Sequence, residues 1–164
     1  MAINCQNSEQ FIFIWWGLWS IGAKPAFINY NLTGASLSHC VKAATTKLCL
    51  VDPNIAENIT DEVRKDSPGT QYVVLTPDIQ AAALAAPAIR EPDDVLYEDE
   101  FTNMAILIYT SGTTGLPKAA IVSWAKCIVV ASLAGSLLSR RKDDIMYTVS
   151  LPSPLSHFTS THTH

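Results

Sequence analysis

Residues 104–123 have the sequence MAILIYTSGTTGLPKAAIVS, in which a polar, glycine-rich loop separates two apolar runs. The first run, residues 104–109, predicts a buried strand, and the second, residues 119–123, predicts another extended segment. The loop between them, residues 110–118, therefore joins two predicted strands, and no helix N-terminus is expected to point at it. Further strands are expected on either side of this unit.

Short apolar runs alternate with helix-forming segments over the rest of the chain. A cap at Asn7 or Ser8, with Gln10 placed to bond back to Asn7, is expected to start a helix that ends near Gly22. The other predicted helices are residues 33–44, 54–65 and 124–139, and the other predicted strands are residues 2–5, 25–29, 47–51, 71–75 and 144–149. Strands that are apolar throughout and alternate with helices are typical of a largely parallel sheet flanked by helices. We therefore predict an α/β fold.

The composition excludes two classes of protein. The chain has 164 residues, of which 48% are hydrophobic and 16% charged, and its formal net charge is −4. Disorder of the whole chain would require lower hydrophobicity and more charge. A mildly acidic chain has no general attraction to nucleic acid, so no nucleic-acid partner is expected. The charged share is below the usual ~25%, which suggests that part of the surface lies against something else.

Residues 11–23, FIFIWWGLWSIGA, carry no charge. As a helix this run would reach about 20 Å, short of the ~30 Å hydrocarbon core of a membrane. We interpret it as a helix buried in a larger protein, while its three tryptophans leave an interfacial role open. The four cysteines, Cys5, Cys40, Cys49 and Cys127, lie in apolar stretches without metal-binding spacing, and we expect free buried thiols of an intracellular protein.

The loop has the composition of a phosphate-binding site. Its candidate binding residues are Thr110, Ser111, Gly112, Thr113, Thr114, Gly115 and Lys118. Glycines let the backbone approach an anion closely, and successive backbone N–H groups can form an anion-binding nest. Hydroxyls add donors, and a lysine adds a compact positive charge. The spacing G-x-x-G-x-x-K, followed by Ala119, excludes a Walker A loop. A simple hairpin turn is the alternative, but it would not need four hydroxyls and a lysine together.

The segment YTSGTTGLPK, residues 109–118, resembles the phosphate-binding signature of the adenylate-forming (AMP-binding) enzymes. Residues 4–31, the stretch LSHC at residues 37–40 and the stretch AAIVS at residues 119–123 are similar to the very-long-chain acyl-CoA synthetases, also called fatty acid transport proteins. The resemblance covers roughly residues 2–148. It implies that this region is part of the large N-terminal domain of such an enzyme.

The resemblance implies a two-step, ATP-dependent reaction. A long or very long chain fatty acid attacks the α-phosphorus of ATP to give an acyl-adenylate, and coenzyme A then displaces AMP. Mg²⁺ accompanies the ATP, and the loop would hold the β- and γ-phosphates. Lys118 does not match the adenylation lysine of the family, which lies in a C-terminal domain, so we assign no catalytic residue and no metal ligand to this chain. The apolar helix at residues 11–21 favours peripheral membrane association, and we expect an intracellular protein at the endoplasmic reticulum or peroxisome.

The sequence departs from the family pattern in two places. Trp124 stands where the family usually has a histidine. Residues 149–164 diverge and contain three terminal histidines, and we expect an unstructured tail rather than a metal site. Six acids within residues 91–100 are likewise interpreted as a solvated loop. The predicted organisation is a partial AMP-binding domain at residues 1–148 and a tail at residues 149–164.

Because the later regions of the family have no counterpart here, we expect an N-terminal-domain fragment that is inactive alone. Two alternatives to the fatty-acid assignment stay open. One is another adenylate-forming ligase, for aryl or short-chain acids. The other is a non-catalytic remnant that binds phosphates or a partner.

Overall fold

The computed structural model describes residues 1–92, 100–110 and 115–137. In these ranges the chain forms the strands β1 (Ala2–Asn4), β2 (Ala26–Phe27), β3 (Leu48–Val51), β4 (Gln71–Val74), β5 (Met104–Thr110) and β6 (Lys118–Ser123). Its α-helices are α1 (Glu9–Ser20), α2 (Gly34–Ala43), α3 (Asp61–Asp66), α4 (Pro77–Ala85) and α5 (Trp124–Leu137), and a 3₁₀ helix covers Pro53–Asn58. No helix in these ranges combines the length and apolar character that crossing a membrane requires.

The strands form one sheet in the order β4-β3-β1-β2-β5-β6. Neighbouring strands are parallel from β4 to β5, and β6 runs antiparallel to β5 at the edge of the described sheet. Ile3 pairs with Phe27 on one side and with Leu50 on the other, and Ala26 pairs with Leu107. Since β1 to β5 run in the same direction, their carboxyl ends lie at one edge of the sheet. The prediction of an α/β fold with a largely parallel sheet is confirmed.

Helices cover both faces of the parallel sheet. On one face α2 and α3 bury Leu37 and Val63 in a cluster with Val51 of β3. On the other face α1 packs Phe11 against Phe27 of β2, with ring centroids 4.9 Å apart in an edge-on arrangement. Full burial of a side chain of this size contributes about 1.5–3 kcal/mol. This two-sided burial explains why the parallel strands are mainly apolar.

The single helix predicted over residues 54–65 is wrong. The structure has the 3₁₀ helix and the short helix α3 in its place. Ile55 has φ −128, which an α-helix does not allow. Thr60 is extended and its hydroxyl accepts a hydrogen bond from the backbone N–H of Val63, so it starts a new helix. A capping residue inside the apolar periodicity therefore divided the predicted helix.

The start of α1 is the second local difference. Ser8 is the N-cap, because its hydroxyl accepts from the backbone N–H of Phe11. Gln10 does not bond back to Asn7. Its side-chain amide donates instead to the side-chain oxygen of Gln80, 2.7 Å away on α4. The predicted capping box is replaced by a contact between two helices.

Several predictions concern residues that lie outside the described ranges. They are the acidic residues 93–99, the loop residues 111–114, the helix end at residues 138–139, the strand at residues 144–149 and the tail at residues 149–164. The domain boundary after residue 148 lies there too and stays a prediction.

Candidate phosphate-binding loop

Strand β5 leads directly into the glycine-rich loop. Its central residues, Ala105 to Ile108, are buried, and the strand lies between β2 and β6. It ends at Thr110, so the loop begins at the carboxyl edge of the parallel strands. Open α/β sheets bind their ligands outside this edge.

The described ends of the loop form the mouth of a hairpin. Thr110 pairs with Lys118 in the antiparallel β5–β6 ladder. The hydroxyl of Thr110 also donates to the backbone carbonyl of Lys118 at 3.5 Å. The prediction that the loop joins two strands is confirmed. The pairing brings a hydroxyl residue and a lysine, eight positions apart in the sequence, next to each other.

Three of the seven candidate binding residues are described, and all three are exposed: Thr110, Gly115 and Lys118. Gly115 has φ +88, and a Cβ added to it would meet nothing within 4 Å. An anion could therefore approach the backbone here without obstruction. The other four candidates, Ser111, Gly112, Thr113 and Thr114, lie outside the described residues.

Helix α2 contacts both sides of the loop. The hydroxyl of Tyr109, at the end of β5, donates to the backbone carbonyl of Cys40 at 2.6 Å. His39, the preceding residue of α2, contacts the backbone carbonyl of Pro117 through Nε2 at 3.0 Å. The sequence did not predict these contacts, because the partners are 69 and 78 positions apart and no local pattern relates them. The similarity of residues 37–40 to a known family stretch was the one available signal.

The buried thiols are poor nucleophiles. Burial raises the pKa of Cys40 to about 11 and is the main cause that raises the pKa of Cys5 and of Cys49 to about 12. Burial also raises the pKa of the Tyr109 hydroxyl, which stays protonated and can donate its hydrogen bond. At neutral pH these groups are neutral, as expected of structural residues.

The described residues offer no preformed metal site: no group of three or more His, Cys, Asp or Glu side chains among them could hold an ion. Trp124, which departs from the family pattern, packs on Trp19 with ring centroids 4.8 Å apart. It belongs to an apolar cluster with Ile106 and Ile108 of β5. The tryptophan at this position is therefore accommodated by packing against α1 and β5.

Two helices present apolar side chains to solvent in the described chain. On α5 no side chain is buried, and its exposed apolar residues are Ile128, Val129, Val130, Leu133 and Leu137. On α1, Phe13 and Trp16 are exposed, whereas Phe11 is buried. A helix that is apolar on all sides usually packs inside a larger structure.

Comparison with known proteins defines the family. The model of the family described as AMP-binding enzyme matches residues 1–163. The chain belongs to the AMP-binding enzyme family. The resemblance of residues 109–118 to the signature of adenylate-forming enzymes is thereby confirmed.

Curated relatives narrow the position of the chain within the AMP-binding family. The chain is 35% identical to the very long-chain fatty acid transport protein of Saccharomyces cerevisiae, over 98% of this chain and 25% of the relative. It is 32% identical to the long-chain fatty acid transport protein 2 of Rattus norvegicus, over 96% of this chain and 26% of the relative. The chain thus spans about a quarter of the length of these relatives. Their names agree with the branch that residues 4–31 predicted.

A solved structure supports the fold. ATP-bound MatB from Rhodopseudomonas palustris matches with a TM-score of 0.64 and 23% identity, over 82% of this chain and 26% of that one. At this level of identity the match shows the shared α/β fold alone.

Proposed function

We propose that the loop at residues 110–118 binds the β- and γ-phosphates of ATP. The observation that carries this proposal is the hairpin mouth, where the exposed Lys118 lies opposite Thr110 at the carboxyl edge of the parallel sheet. A lysine at this position offers a mobile point charge to a phosphate. In support, MatB is bound to ATP in its solved structure, which has the same fold.

The three described candidate residues, Thr110, Gly115 and Lys118, each have a role that suits a triphosphate. Gly115 allows close approach of the backbone, because its positive φ leaves the position of a Cβ open to solvent. The hydroxyl of Thr110 donates to the Lys118 carbonyl and so holds the mouth of the loop, and Lys118 neutralises negative charge that builds up on the leaving pyrophosphate. We propose that Mg²⁺ accompanies the ATP, as the resemblance to the adenylate-forming enzymes implies.

We further propose that the protein containing this chain activates long or very long chain fatty acids. The fatty acid would first form an acyl-adenylate with ATP, and coenzyme A would then take up the acyl group and displace AMP. The names of the curated relatives support this substrate class. The apolar helix α1, with Phe13 and Trp16 exposed, supports a peripheral association with membranes, where such acids reside.

The experiment compares Lys118→Ala with Lys126→Ala. Both lysines are exposed and both changes remove one positive charge, but Lys126 lies on α5, beyond the far end of β6 from the loop. Binding of Mg·ATP to the 164-residue chain is measured by calorimetry. Lys118→Ala should weaken binding at least tenfold, about the effect of one charged hydrogen bond, while Lys126→Ala should bind as the parent does.

Thermal melting separates binding from folding in the same two variants. Both should melt within about 0.5 kcal/mol of the parent, since each changes an exposed side chain. Equal ATP affinity of Lys118→Ala and the parent would reject the assignment of the loop.

A further inference from the structure

We propose that His39 is a positioning residue, which orients the peptide between Pro117 and Lys118 and so aims the loop at its phosphate. This inference rests on the proposed function of the loop. It is carried by the contact between His39 Nε2 and the Pro117 carbonyl, 3.0 Å long.

The chemistry of the contact fixes its direction. A backbone carbonyl can only accept a hydrogen bond, so Nε2 of His39 must carry the proton and donate it. The Pro117 carbonyl and the Lys118 N–H belong to one planar peptide unit. A hydrogen bond that holds the carbonyl therefore also holds the direction of the Lys118 N–H and the entry into β6.

Helix α2 provides a fixed support for this contact. Leu37, Cys40 and Val41, on either side of His39, have no exposed surface and pack in the cluster that includes Leu107 of β5. The helix cannot shift toward or away from β5 without disturbing this packing. His39 therefore holds the loop from a part of the core.

The second contact of α2 holds the other side of the loop. Tyr109 donates to the Cys40 carbonyl, which also accepts the helical N–H of Ala44 at 3.0 Å. Two consecutive residues of one helix thus bond to the residue before Thr110 and to the residue before Lys118. Together they set the separation of the two strand ends from which the loop starts and returns.

The test uses the 164-residue chain and three variants. His39→Phe keeps a ring of similar size but removes the donor. His39→Gln places an amide N–H where Nε2 was. Ala35→Ser, at an exposed position in the first turn of the same helix, is the control. Amide hydrogen exchange of residues 115–120 is measured without ligand, and binding of Mg·tripolyphosphate is measured by calorimetry.

Because His39→Phe removes one hydrogen bond, it should speed amide exchange of residues 115–120 and weaken tripolyphosphate binding, each about three- to tenfold. His39→Gln should restore both to within about twofold of the parent, and Ala35→Ser should change neither. Amide exchange in β1 to β4 should be the same in the parent and the three variants. A general loss of stability would instead speed exchange in these strands as well. Parent-like exchange in His39→Phe, or failure of His39→Gln to restore it, would overturn the proposal.

The two proposals fail separately. If the parent chain binds neither tripolyphosphate nor ATP, the phosphate assignment fails, and ligand-free exchange still decides the role of His39. If His39→Phe does not fold, nitrogen-15 NMR of the parent chain shows which ring nitrogen of His39 carries the proton, and this decides the proposal. A proton on Nε2 supports the contact, and a proton on Nδ1 alone overturns it.

Discussion

Gly115 has a backbone conformation in the loop that favours glycine. Its φ of +88 lies in a region that other L-residues avoid, at a cost of roughly 1–2 kcal/mol. Gly69 has no positive φ, and a Cβ there would also meet nothing within 4 Å. The two glycines therefore differ in backbone conformation and not in available space.

We expect opposite effects from the same substitution at these two glycines. Gly115→Ala should lower the free energy of unfolding by about 1 kcal/mol because of backbone strain. Gly69→Ala should leave it unchanged or raise it by up to about 1 kcal/mol, since alanine restricts the unfolded chain. Urea denaturation of both variants and the parent measures the difference. Equal effects at both positions would show that the Gly115 conformation is not required.

At the residue scale, the composition of the loop leads to a hypothesis about its chemistry but not about its contacts. The glycines, hydroxyls and Lys118 indicate a phosphate loop from composition and spacing, and this stays a prediction. The role of His39 could not be predicted in this way, because its partner is 78 positions distant. Such a contact depends on how α2 and the β5–β6 hairpin meet across the sheet, which neither segment encodes alone.

At the scale of elements, the strands within the described residues were predicted, whereas the helix at residues 54–65 was predicted wrongly and α4 was not predicted. The runs at residues 47–51 and 71–75 became β3 and β4. The residues of β3 are buried or half-buried, as the apolar sequence of a strand covered on both faces predicts. The segment at residues 54–65 failed because its apolar spacing continued through Thr60, while the hydroxyl of Thr60 favours a helix start. Local hydrogen bonding by a side chain outweighed periodicity there.

The capping role of Thr60 can be tested against a matched threonine. Thr60 and Thr33 both precede helices, but only the Thr60 side chain accepts a hydrogen bond from its helix. Thr60→Ala should cost about 1 kcal/mol, and Thr33→Ala clearly less. Thermal and urea unfolding of the two variants measure this. A larger loss in Thr33→Ala would mean that capping does not account for the start of α3.

At the scale of the whole molecule, the low share of charged residues agrees with the presence of an exposed apolar helix, α5. Val129 and Leu133 of α5 lie one turn apart and are 54% and 51% exposed. Apolar surface of this kind promotes association in water. We expect the 164-residue chain to self-associate. The double substitution Val129→Gln and Leu133→Gln should reduce its mean size in sedimentation without lowering its melting temperature.

The control is Val41→Gln on α2, where exposure is 0%, and this change should instead unfold the chain. A loss of stability in the double variant would place α5 in the core.

The extent of the chain leads to a last prediction about activity. Acyl transfer requires ATP, fatty acid and coenzyme A to be held in reacting positions at once. The chain matches about a quarter of the length of its curated relatives, and our proposal gives its described residues a role toward the phosphates alone. We therefore expect the 164-residue polypeptide to bind Mg·ATP and yet make no acyl-CoA from oleate and coenzyme A. Thioester is measured by mass spectrometry, with a full-length fatty acyl-CoA synthetase as the positive control. Thioester production that follows the chain through successive purification steps, and that Lys118→Ala reduces, would show that this quarter suffices for both half-reactions and would contradict the prediction.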